Sequence, residues 1–206
     1  MNGFRKKILT LLVFVAAFFM VRYGMDLYHE HTTVAKIEQL MENIKKEGVQ
    51  KHADAPVSEA MHKEAVEQTS VKLKSEPDKR KRLETAAGNF FGFFLVNTRE
   101  RAEFCREQGV DIAMFVSAFE RGHTTELANA RSALSNSSVS EDKLYAMLKP
   151  QLRKVIEQDM RDIASANKIS LREACELISK EGTKLATEMH ISKVQPDVYR
   201  VLAGSP

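Results

Sequence analysis

The chain is predicted to be all-α: an N-terminal membrane anchor and flexible tether, followed by a compact bundle of about five to six helices. Two patterns lead to this. Apolar residues recur at three- and four-residue spacing with no Val/Ile/Thr alternation that would mark a strand. The 206 residues hold no Trp, 9 Gly and 5 Pro, so helix breakers are few. With 43% hydrophobic and 29% charged residues and a net charge of +3, the chain is one globular domain with appendages. Its Lys and Arg are interleaved with Asp and Glu, which speaks against nucleic acid as a partner. The run Lys79-Arg80-Lys81-Arg82 is the local exception. It reads as a solvated helix start after Pro77, with a phosphate or lipid-headgroup site as the competing reading.

Residues 1–28 read as a signal anchor. Arg5, Lys6 and Lys7 precede an uncharged run from Ile8 to Val21. The run falls short of the roughly 20 residues that cross a bilayer, but a snorkelling Arg22 extends it through Tyr23, Met25, Leu27 and Tyr28. Membrane contact is therefore expected through residues 8–28. No small-x-small triplet follows the run, which favours an uncleaved anchor over a cleaved signal peptide. The positive-inside rule then keeps the N-terminus in the cytoplasm, a single pass through the inner membrane, and the C-terminal domain in the periplasm or exterior.

Residues 29–48 read as a juxtamembrane helix ended by Gly48, with Val34, Ile37, Met41 and Ile44 forming a narrow apolar seam. Two heptads make the beginning of a coiled coil, so the seam serves either a homodimer or a stalk. Residues 49–78 are rich in Lys, Glu, His, Ala, Ser and Gln with few large apolar side chains. Such a composition reads as a flexible tether. The helical globular domain is expected over residues 79–206.

That domain opens with a Phe-rich helix. Its apolar stretch contains Glu84, Asn89 and Asn97, too polar and short for a second membrane span. Phe90, Phe91 and Phe94 share a broad face with Cys105, while Gly88 and Gly92 lie nearly opposite. A helix this apolar is central in a bundle or exposes a groove, and Gly88, Phe90, Phe91, Gly92, Phe93 and Phe94 are the candidate partner or ligand groove. Gly109 ends the first helix, and Asp111 caps a second carrying Ile112, Phe115, Val116 and Phe119. Thr124 or Thr125 opens a third. Ser140 caps a longer one, in which Pro150 is expected to kink or restart the stripe of Leu152, Val155, Ile156, Met160 and Ile163. Ser170 and Glu173 form a capping box for a helix bearing Ala174, Cys175, Ile178, Leu185 and Met189. Pro196 starts a short closing helix.

Few residues carry chemistry. Cys105 and Cys175, the only two cysteines, are predicted to form a disulfide in an oxidising compartment, against the alternatives of two buried thiols or a catalytic one. His29-Glu30-His31 lacks the spacing of a zinc motif, because residues two apart point to different sides of a helix. Asp159, Asp162, Glu173, Glu176 and Glu181 read as carboxylates of solvated faces. No catalytic residue, metal or cofactor is predicted. The expected function is thus a membrane-tethered, exported, non-enzymatic binding or scaffold protein, as in an accessory component of an envelope or secretion assembly. A carrier of a small apolar ligand in a Phe-lined cavity and an extracytoplasmic hydrolase or thiol enzyme are the alternatives.

Overall fold

The computed structural model describes residues 30–135 and 140–204, with side chains from Ile37 onward. The anchor read from residues 8–28 lies outside the described residues, as does the side chain of Val34. Among the described residues there is no strand, and no helix is long and apolar enough to cross a membrane.

Helices α1 (Glu30–Lys51) and α2 (Val57–Ser75) fold back on each other across residues 52–56. The expected end at Gly48 is corrected here: the helix runs on to Lys51, and Gly48 is buried. A Cβ at Gly48 would stand 2.6 Å from the Ala60 carbonyl oxygen, so this glycine permits a helix crossing rather than a stop. Ile37 and Ile44 are buried in the chain's own core and Met41 packs against it, so the seam read for a second copy is used internally.

The tether expectation is corrected as well. Residues 57–75 form a helix that packs on α1 and on two later helices, α7 and α10, burying Ala60, Met61, Ala65, Thr69 and Leu73. Its burial combines two large apolar side chains, Met61 and Leu73, with alanines and with polar residues such as Thr69, a mixture too sparse in large apolar residues to stand out in composition. The N-terminus of α2 is capped from a distance: the Ser58 amide donates to Asp162 Oδ2 at 2.7 Å. The compact domain therefore begins well before residue 79.

Helix α3 (Lys79–Leu95) starts on Asp78, whose carboxylate accepts from the Arg80 and Lys81 amides at 2.9 and 3.1 Å. It continues through a π-helical turn (Val96–Glu100) into α4 (Arg101–Glu107). The chain reverses at Gly109, whose φ of +76° is left-handed. There follow α5 (Ala113–Gly122), α6 (Thr124–Ala133), α7 (Glu141–Asn167), α8 (Leu171–Glu188), α9 (Ile191–Val194) and α10 (Pro196–Leu202). The predicted caps act as expected at Ser140, at the Ser170/Glu173 capping box and at Pro196, while Asp111 accepts from the Ala113 amide at 2.8 Å. Helix α7 runs from Glu141 to Asn167 through Pro150, so the expected restart does not occur; Pro150 lies on the exposed face, where its missing N–H leaves no buried bond unmade.

The Phe-rich helix is the centre of the bundle. Phe90, Phe93, Phe115 and Phe119 are wholly buried, with Phe93 and Phe119 ring centroids 5.2 Å apart and Phe115 and Phe119 5.7 Å apart. Helices α5 and α8 cross closely at Gly182, where a Cβ would stand 2.8 Å from the Phe115 amide nitrogen. The disulfide joins Cys105 of α4 to Cys175 of α8 with Cα atoms 5.4 Å apart, both residues fully buried.

Candidate functional site

The groove predicted on the Phe-rich helix is corrected by burial. Gly88, Phe90, Phe91, Gly92, Phe93 and Phe94 are all buried, and the rings pack on each other and on His123. A continuous apolar surface is spent on the core before it can be offered to a partner. The thiol-enzyme alternative also loses its nucleophile, since neither cysteine is free.

The π-turn creates a polar centre that the sequence reading missed. An extra residue in the helical turn loosens the usual carbonyl pairing. Asn97 Nδ2 and Thr98 Oγ1 donate to the Phe93 and Phe94 carbonyls, each at 2.8 Å. The same shift turns Glu100 and Arg101 inward, both fully buried. Arg101 Nη1 donates to Asp159 Oδ2 at 2.7 Å and its Nε to Asn97 Oδ1 at 3.2 Å. Asp159 is thus not a solvated carboxylate; burial pushes it up to about 6 even beside the guanidinium. Asp162, half-buried, is likewise used, as the cap of α2.

Beside this pair the Tyr145 hydroxyl lies 2.9 Å from Glu100 and 3.1 Å from Glu103, its one proton shared between them. Burial raises the Glu100 carboxyl, whereas the Lys149 ammonium, 2.7 Å away, lowers that of Glu103. Arg153 reaches Glu100 at 3.5 Å and Glu107 at 2.5 Å. A neighbouring cation meets each of these carboxylates, as in an ion-pair network that holds α4 on α7 rather than an acid–base pair awaiting a substrate.

The two histidines that meet are similarly committed. His123 is fully buried and stacked on His190 with ring centroids 4.8 Å apart. Its Nδ1–H donates to the Phe119 carbonyl at 2.8 Å, and its Nε2 accepts from the Ile191 amide at 3.0 Å, which defines one neutral tautomer. Burial holds this imidazole down to about 4. His190 accepts from the Ser192 amide at 3.2 Å as the cap of α9, and its Nε2–H donates to the Gly122 carbonyl at 2.9 Å.

A surface with uncommitted charge lies elsewhere. A cleft of about 1010 Å³ opens between α2, α3, α6 and α10, with Leu73, Leu83 and Leu202 among its apolar lining and Lys79, Arg82 and Arg200 among its cations. Asp197, the acidic residue in this lining, is already engaged by Ser70, Lys74 and Arg200. Arg80 is spent on Glu84 at 2.9 Å, but Lys79 and Arg82 have no ion pair among the described residues. The basic run of four singled out in the sequence is therefore divided: Arg80 braces the helix, Lys79 and Arg82 face the cleft, and Lys81 is exposed outside its lining. A second cleft, of about 720 Å³, is lined by Arg99, Glu103, Arg106 and Tyr145 and carries both signs of charge. Among the described residues, His52, Glu64 and Glu67 bring metal-ligating atoms within reach of each other.

The chain matches no protein-family model, no curated protein and no solved structure.

Proposed function

We propose that the chain is an exported, membrane-anchored, non-enzymatic binding module that receives an acidic segment of a partner protein in the α3–α10 cleft. The observation that carries this reading is the pairing of uncommitted cations, Lys79 and Arg82, with an apolar lining of Leu73, Leu83 and Leu202. Such a surface attracts a carboxylate-bearing segment at long range and holds its apolar side chains at short range. The buried disulfide supports an oxidising compartment, and the uncharged run after Arg5, Lys6 and Lys7 supports delivery to the far side of a membrane. The carrier alternative loses support because the phenylalanine rings fill their own interior, at centroid separations such as 5.2 Å for Phe93 and Phe119.

Site-specific photocrosslinking in the native host tests the reading. A crosslinker at Arg82 is expected to give a discrete protein adduct that one at exposed Arg161, on α7, does not. The adduct is expected to disappear in a Lys79→Glu variant. Absence of an adduct at position 82, or its survival in Lys79→Glu, would remove the cleft as the binding surface. A periplasmic reporter fused after Gly204 is expected to be active, and activity of a cytoplasmic reporter there would sink the exported topology.

A further inference from the structure

We propose that His52, Glu64 and Glu67 form a divalent transition-metal site, of the zinc class, where α1 turns into α2. One ligating atom from each of the three side chains lies within 4.8 Å of the others. Glu64 is fully buried, and the His52 Nε2 atom is buried with no hydrogen-bond partner among the described residues. A buried ring nitrogen left unpaired costs free energy that a coordinating cation would recover.

The surroundings demand positive charge. Lys51 reaches into the cluster, its ammonium 2.8 Å from Glu64 Oε2 and 3.7 Å from Glu67 Oε2. Gln68 Nε2 bridges Glu64 Oε1 at 2.8 Å and Glu47 Oε2 at 2.9 Å, so three carboxylates gather around one ammonium. The Lys51 side chain is half exposed and ends a flexible stem, free to leave for solvent. Lys51 is also the last residue of α1, where the helix dipole favours a cation. Tetrahedral zinc bonds of ~2.0–2.2 Å bring ligand atoms to roughly 3.5 Å from one another, inside the 4.8 Å within which these three lie. Exposed Glu67 supplies any closing movement by rotating, while Gln68 holds buried Glu64 in place. An imidazole nitrogen with two carboxylates selects zinc-class ions over calcium or magnesium, and three protein ligands leave the fourth position to water. The close approach of Gly48 to Ala60 places His52, one turn later, over Glu64.

The site separates from the flanking histidines in a full-length chain carrying His29→Ala and His31→Ala. Zinc chloride titrated into that chain is expected to bind at one equivalent by calorimetry and to move the His52 ring resonances. His52→Ala is expected to weaken binding at least tenfold, about the loss of one ligand's contribution. Lys51→Gln is expected to tighten it, because the competing ammonium is gone, whereas a merely structural ion pair would only lose stability. Cobalt(II) bound to the unsubstituted site is expected to show tetrahedral visible absorption, a readout independent of how either variant folds. Absence of one-equivalent binding, indifference to His52→Ala in a folded variant, or failure of Lys51→Gln to tighten binding would overturn the site.

Discussion

In the α3–α5–α8 region the interior is filled by rings: Phe90, Phe93, Phe115 and Phe119 are wholly buried around His123, and a disulfide closes one end. In the α1–α2 hairpin the interior mixes Ile37, Ile44, Met61 and Leu73 with Gly48, Ser58, Ala60, Glu64, Ala65 and Thr69. Both regions are helical and close-packed. The first gains its stability from apolar area. The second has fewer large apolar side chains to bury and adds to them close approach and paired polar groups, such as Thr69 Oγ1 donating to the Ala65 carbonyl at 2.7 Å and Glu64 meeting Lys51. Burial is therefore no measure of hydrophobicity here, and the two regions should fail in different ways.

The largest contrast comes from truncating one side chain in each. Phe119→Ala is expected to destabilise the chain by about 3 to 5 kcal/mol and Met61→Ala by about 2 kcal/mol, because the hairpin loses less area and collapses more readily. Urea denaturation of the oxidised chain measures both. Equal losses would show that the hairpin depends on apolar area as much as the aromatic core does.

Acid should strike the aromatic core through His123. Its folded value is lowered from the ordinary 6.5 to about 4 by burial, so the unfolded chain takes up this proton first as pH falls. The stabilisation is fully present above 6.5 and is lost progressively between about 6.5 and 4, amounting to about 3 kcal/mol. A His123→Asn variant is expected to be less stable at pH 7 but to lose less on acidification to pH 4. Parallel pH profiles for variant and parent would assign the acid sensitivity to other groups.

The smallest pair of effects concerns glycine. Gly48→Ala forces a Cβ to 2.6 Å from the Ala60 carbonyl and is expected to cost about 1 to 3 kcal/mol by parting the hairpin. Gly122→Ala, in the aromatic region, meets nothing closer than His190 Cδ2 at 3.9 Å and is expected to be neutral or stabilising by up to about 1 kcal/mol. Thermal denaturation of the two variants decides it. A destabilising Gly122→Ala, or a harmless Gly48→Ala, would reverse the distinction between a crossing glycine and an ordinary one.

How legible each region is in the sequence follows from the same contrast. Phe115 and Phe119, or Leu152, Val155, Ile156, Met160 and Ile163, announce a buried face by size and spacing, and the stripes read from them are the buried ones observed. In α2 the buried residues include alanine, serine, threonine and glutamate, types equally at home on a solvated surface. Nothing in their spacing told them from a tether. The cleft was half legible: Lys79 to Arg82 stood out as a basic run, but which two cations face Leu73 and Leu202 depends on helices distant in sequence. His52 and Glu64 meet only because a glycine lets two helices touch.

By itself the sequence determined the helical class of the described residues and the cap residues Ser140, Ser170 and Pro196, and it favoured the Cys105–Cys175 bond that the structure shows. Caps act within one turn of the chain, and two cysteines allow a single pairing within it, while whether their helices meet is a matter of packing. The tertiary structure alone decided that the Phe-rich helix is interior, that residues 57–75 belong to the core, and that Arg101 meets Asp159 at 2.7 Å. Each of these depends on what a second helix brings to the same place. A side chain's own chemistry states its preference for water or for the interior, but only the packed neighbour determines whether a glutamate finds its cation, a glycine its crossing, or a ring its core.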